Sequence, residues 1–144
     1  MDENPEACDD RFTHPIALAM QGMAVWYLLT GVTALVFVTL VLLLGEPGSA
    51  GPEVYGVSAI AGAEVTGGGL AGAIVLGGIS WALLGRAFLH PRWSVILVPG
   101  LIGAATSQLF DLIGWPVSVL IGGFVAYWMI RNRLETSQSA DLPQ

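Results

Sequence analysis

MAVWYLLTGVTALVFVTLVLLL, residues 23–44, is an unbroken apolar run without one charged side chain. A hydrocarbon core about 30 Å thick takes roughly 20 helical residues, so this run is long enough to cross it. In lipid every backbone N–H and C=O must be satisfied within the protein, which leaves helices and closed barrels. A barrel strand would alternate polar and apolar residues over about 10 positions. This run does not alternate, and it reads as a transmembrane helix. Thr13 as an N-cap and Pro15 in the first turn place the start of that helix ahead of Met23. The glycines and prolines of GEPGSAGPE, residues 45–53, end it in a loop.

Three further segments have the same character. TGGGLAGAIVLGGISWALLG covers 66–85 and extends backward through VSAIAGAEV; WSVILVPGLIGAATSQLFDLI covers 93–113; PVSVLIGGFVAYWMIR covers 116–131. The last reaches only about 24 Å as a helix. It must stand upright, thin the bilayer, or borrow the turns from Asn132 onward.

Composition agrees with that reading. Of 144 residues, 54% are hydrophobic and 11% charged, with a mean hydropathy of +0.70, whereas a soluble domain carries about 25% charged residues. The expected fold is an all-α integral membrane protein: a four-transmembrane-helix bundle forming one membrane domain, 14–133. Two aqueous segments flank it, an acidic one at 1–13 and another at 134–144. The first apolar run is longer than the about 7 to 15 residues of a signal peptide, and an acidic segment precedes it, so it is read as a retained span.

The basic residues set the orientation. With four spans, Arg11, Arg86, Arg92, Arg131 and Arg133 all fall on one side, and a count of three or five would divide them. The positive-inside rule makes that side cytoplasmic, so the chain is expected in the cell membrane with both flanking segments inside (N-in/C-in). Trp81, Trp93, Trp115, Tyr127 and Trp128 lie near the span ends, at headgroup depth, while Trp26 and Tyr27 lie deeper and are expected to face a neighbouring helix. The chain has five arginines, no lysine and a net charge of −6. That balance offers no basic stripe to nucleic acid and is compatible with a high-salt source.

Small residues recur at helical spacing in the second span. Gly68, Gly69, Gly72, Ala73, Gly77 and Gly78 form the expected helix-packing face, because close backbone approach supplies the dispersion contacts that drive association in lipid. GLAGA at 69–73 and GLIGA at 100–104 look alike, but nothing outside those five residues repeats, and the match is read as coincidence. Val98-Pro99-Gly100 lies inside the third span. Pro99 and Gly100 form a candidate hinge or static bend.

The carboxylates of the expected outer side, Glu46, Glu53, Glu64 and Asp111, have no Lys or Arg there to pair with. Glu64 and Asp111 come nearest the hydrocarbon and are taken to mark the outer borders of spans two and three. With Thr66, Ser107 and Gln108 they form a candidate cation or proton site, since ionisable groups in a membrane segment are functional candidates. The competing reading is that both carboxylates are simply hydrated.

Catalytic patterns are absent from the sequence. There is no HExxH, GxSxG or nucleotide-binding loop with its lysine, so the chain is read as a non-enzyme. The single cysteine, Cys8, reads as a solvated thiol rather than an acylation site, and no Cys/His metal pattern occurs. His14 and His90 stand in His-Pro pairs before spans one and three. Haem ligation by that pair is the sharper reading, but the residue before proline is pushed away from helical angles, so both are read as helix-start punctuation and no cofactor is expected. The functional expectation is a non-catalytic accessory or assembly subunit, its partners being the bilayer and other membrane subunits or further copies of itself. The alternative is an oligomeric cation, proton or small-solute channel or transporter using the outer carboxylates.

Overall fold

The computed structural model describes residues 14–44, 52–89 and 93–140. Cys8, Arg11, Thr13, Glu46, His90 and Arg92 lie outside the described residues, as does the 45–51 stretch of the first loop.

Among the described residues the fold is all-helical. Helix α1 runs Pro15–Leu44, α2 Pro52–Leu84, α3 Trp93–Leu109 and α4 Trp115–Ala140, with single 3-10 segments at Gly85–Leu89 and Asp111–Ile113. α1 begins at Pro15, whose missing N–H costs nothing in a first turn. The His14 ring caps that turn, its Nδ1 accepting from the Ala17 N–H at 3.4 Å. α2 stops at Gly85, which takes a φ of 57°, the left-handed conformation that commonly closes a helix.

Three boundaries differ from the sequence reading. α2 begins at Pro52, ahead of the 57–65 extension, so Glu64 stands inside a continuous helix rather than before it. The apolar residues before Glu64 simply continue the helix. α3 ends at Leu109, and Asp111 opens a 3-10 turn instead of riding the last turn of an α-helix. α4 continues through Ala140, so the helix takes in the turns from Asn132 onward and most of the 134–144 segment.

α1 is the central element and packs against each of the other three helices, while α3 and α4 pack against one another as a hairpin. The core gathers around the first half of α1: Leu18, Met23, Ala24 and Tyr27 with Leu76 of α2, Ile96 and Ala104 of α3, and Ala126 and Ile130 of α4. Each main interface contains a pair of glycines. A methyl group on Gly69 would lie 2.8 Å from the Gly31 Cα, where α2 meets α1. Gly22 meets Gly100 between α1 and α3, and one on Gly122 would overlap the Gly103 carbonyl oxygen between α4 and α3. Polar ties reinforce the packing. Ser80 Oγ donates to the Ala17 carbonyl at 2.9 Å, Trp26 Nε1 to the Leu97 carbonyl at 2.7 Å, and Gln21 Nε2 to the Phe88 carbonyl at 3.0 Å.

α1 and the Ala59–Leu84 part of α2 are long and apolar enough to cross a membrane, yet only 11% and 28% of their most apolar stretches are buried within the chain. A core helix of a soluble protein would be mostly covered. Here Phe37, Leu43, Leu44 and Ile74 are 63 to 76% exposed, and Leu120 and Phe124 on α4 are similarly open. α3 is apolar but has only 17 residues.

The two hairpins differ in reach. Thr30, Gly69 and Asp111 line one cleft and so share a level. From Thr30 to Leu44, α1 rises about 20 Å further, and α2 descends beside it from Pro52. The α1–α2 hairpin therefore projects about 20 Å past the turn that joins α3 to α4.

Candidate functional site

That shared level holds the main polar cleft, a space of about 340 Å³ between α2 and α3. α1 contributes Tyr27 and Thr30, α2 contributes Val65, Gly68 and Gly69, α3 contributes Ser107 and Gln108, the following turn contributes Asp111, and the start of α4 contributes Trp115. The turn is built locally. Phe110 N–H bonds back to the Thr106 and Ser107 carbonyls at 3.3 and 3.2 Å, and Gly114 N–H to the Asp111 carbonyl at 3.0 Å. Gly114 has a φ of 113°, which a residue with a Cβ rarely adopts. α4 then restarts with Ser118 N–H bonded to the Gly114 carbonyl at 3.1 Å. Asp111 and Trp115 are thereby delivered to the same cleft.

The hydroxyl groups of the cleft are all hydrogen-bonded within the protein. Thr30 Oγ1 donates to the Trp26 carbonyl at 2.8 Å, and Ser107 Oγ to the Ala104 carbonyl at 2.7 Å. Tyr27 Oη and Ser107 Oγ are hydrogen-bonded to each other in the buried base of the site. What the cleft presents outward are two acceptors, the Gln108 carbonyl oxygen and the Asp111 carboxylate, beside two donors, the Gln108 amide and the Trp115 indole N–H. No basic side chain is among the residues lining it.

Ser107, Gln108 and Asp111 of the sequence-derived cluster meet here, whereas Glu64 and Thr66 are not among the lining residues. Glu64 is exposed on α2, one turn nearer the tip than Gly68. Thr66 Oγ1 turns back to its own helix, donating to the Gly62 carbonyl at 2.7 Å. Tyr27, Thr30 and Trp115 were not named for the site from sequence. The phenol of Tyr27 was the available signal, since a hydroxyl within an apolar span must find a partner.

The α2 packing face divides in the same way. Gly69 and Gly72 are buried against α1, where a methyl on Gly72 would lie 3.1 Å from the Tyr27 ring, and Gly77 would make only an ordinary 3.8 Å contact with Ala24. Ala73 packs at the edge of the core. Added methyls at Gly68 and Gly78 meet nothing within 4 Å. Pro99 and Gly100, the candidate hinge or static bend, are both buried within a continuous α3.

A second cleft, about 440 Å³, lies between α2 and α4 on the other flank of α1 and is apolar, with Met20, Met23, Leu76, Leu120 and Phe124 among its lining. Of the arginines described, Arg86 is exposed on the 3-10 segment after α2. Arg131 pairs with Glu135 at 2.8 Å, and Arg133 Nη1 donates to the Ser94 carbonyl at 3.3 Å. Among the described residues no group of three His, Cys, Asp or Glu side chains is placed to hold a metal ion. Compared with protein-family models, curated proteins and solved structures, the chain finds no match.

Proposed function

We propose that the chain is a multi-pass protein of the cell membrane with four spans and both flanking segments in the cytoplasm, acting as a non-catalytic accessory or assembly subunit of a larger membrane complex. The observation that carries this reading is the unequal reach of the two hairpins. A hydrocarbon slab about 30 Å thick that fits α3 and α4 leaves the Phe37 to Leu44 end of α1 in the aqueous phase; one raised to cover that end draws the polar α3–α4 turn into the outer leaflet. A neighbouring subunit beside the longer hairpin resolves the mismatch. The open glycines at 67, 68 and 78 support close approach by such a neighbour. The test is the mass and composition of the particle extracted from its native membrane in a mild detergent. Other subunits in fixed ratio are the expected result, and a homogeneous particle made of this chain alone would count against the assignment.

The second reading is a channel or transporter for a cation, a proton or a small solute, formed by several copies. It is favoured by one observation: Asp111 lines a cleft with Gln108 and Ser107 and without a basic residue. On this reading Asp111→Asn abolishes flux in liposomes while Glu64→Gln, outside the cleft, retains it. Wild-type flux through Asp111→Asn removes the carboxylate from the mechanism.

A further inference from the structure

The chemistry of the cleft narrows what it can hold. An anion is repelled by the Asp111 carboxylate, and no basic side chain lines the cleft to offset that charge. The Thr30 hydroxyl is directed at the Trp26 carbonyl and those of Tyr27 and Ser107 are bonded to each other, which leaves the Gln108 amide and the Trp115 indole N–H as donors. A hard metal ion needs about six oxygen ligands and usually several carboxylates, but this cleft has one carboxylate, with apolar and aromatic surface beside it, and about 340 Å³ of space. That volume lies in the ordinary range for organic ligands, roughly 300 to 1,000 Å³. An exposed carboxylate with an exposed indole alongside suits a monovalent cation that carries apolar substituents, since such a cation is attracted by the ring face and loses little hydration on entry.

We infer that the cleft formed by Tyr27, Gln108, Asp111 and Trp115 binds an organic ammonium group, with Asp111 as its counter-ion and the indole of Trp115 beside it. The inference rests on reading Asp111 as a cation site and names the class of cation. The α3–α4 turn fixes the arrangement, because the left-handed Gly114 returns the chain so that the carboxylate and the indole line one space. The ammonium could come from a lipid headgroup or from a solute, and the two share this chemistry.

The test titrates tetramethylammonium into the full-length protein in an uncharged maltoside detergent, followed by calorimetry, with the neutral isostere 3,3-dimethylbutanol in parallel. Saturable binding of the cation alone is expected. Asp111→Asn is expected to weaken it by about tenfold or more, and Trp115→Leu by a smaller factor. Equal binding of cation and isostere in the wild-type protein overturns the proposal and requires no variant to fold. So does unchanged affinity in a normally helical Asp111→Asn. Sodium and potassium are titrated as well. If they bind in an Asp111-dependent way and tetramethylammonium does not, the organic class fails while the cation site stands; if none binds, both fail. Repeating the titration in nanodiscs of two lipids without net charge separates the sources: weaker binding in phosphatidylcholine than in digalactosyldiacylglycerol assigns the site to headgroups, and equal binding assigns it to a solute.

Discussion

Gly22 of α1 and Gly100 of α3 meet backbone to backbone: a methyl group on Gly100 would stand 2.5 Å from the Gly22 carbonyl carbon, and one on Gly22 would stand 2.6 Å from the Ile96 carbonyl oxygen. Neither obstacle is a side chain that can rotate away. Gly100→Ala must therefore separate the two helices, at a cost of about 3 kcal/mol. Gly78→Ala, where the added methyl meets nothing within 4 Å, is expected to be neutral or slightly stabilising through helix propensity, by about 1 kcal/mol at most. Denaturant unfolding of the two variants in the same detergent measures the contrast, and equal stabilities would remove this crossing as a determinant of the fold.

The Tyr27–Ser107 hydrogen bond ties the middle of α1 to the end of α3. Tyr27→Phe deletes this bond but leaves Ser107 the Ala104 carbonyl as a partner, so the loss is expected to be small, about 1 kcal/mol or less. Ser107→Ala strands the phenol and should cost more. A double variant no worse than Ser107→Ala would show that the two residues act as one unit.

Gln21 is 3% exposed. Its Nε2 donates to the Phe88 carbonyl, while its Oε1 is buried without a hydrogen-bond partner. Gln21→Met removes both the bond and the unsatisfied oxygen, so the net change is expected within about 1 kcal/mol. Gln21→Glu faces a carboxylate toward a carbonyl in a dry site. That variant should be less stable at about pH 7 than at about pH 4, where protonation restores a donor. The wild-type protein in the same assay gives the baseline, and a Gln21→Glu profile parallel to it would contradict the burial argument.

Association is expected to depend on the outer face of α2. Gly67→Leu and Gly78→Leu place bulk where the chain itself makes no contact, so both should fold normally yet leave the native complex on blue native gels. Gly72→Leu strikes the Tyr27 ring and should unfold the α1–α2 pair instead. Retention of both outer-face variants in the complex would direct the search to another surface.

The proposed four-span topology makes a labelling prediction through Cys8, the single cysteine. A membrane-impermeant maleimide should react with it only after cells are opened. Labelling in intact cells would invert the orientation.

Much of the architecture is legible in the chain itself. An uncharged run such as 23–44 admits a helix and little else, because lipid cannot satisfy an open backbone. The expectation that Trp26 and Tyr27 face a neighbouring helix follows from the same reasoning, and both hydrogen-bond to α3. Boundaries were less legible. Glu64 was read as standing just before span two because a carboxylate is costly in hydrocarbon, whereas the α2 helix itself continues back past it to Pro52.

The glycines divide sequence from structure most clearly. Spacing alone singled out the small-residue face of α2, and it cannot say which neighbour, if any, each position meets. Gly22, Gly31, Gly103 and Gly122 stand in less conspicuous contexts but sit at the helix crossings. Gly100, read as half of a hinge, is another of these contact points. Likewise Asp111 and Gln108 are close in sequence, but their union with Tyr27 and Thr30 requires α1 to lie across α3. The sequence by itself determined the helical class and the segments able to enter a bilayer, since those follow from local apolarity and backbone hydrogen bonding. Only the tertiary structure decided which glycines touch, how far each hairpin reaches and which polar groups share a cleft, because those depend on how helices cross, and crossing is set by contacts between residues far apart in the chain.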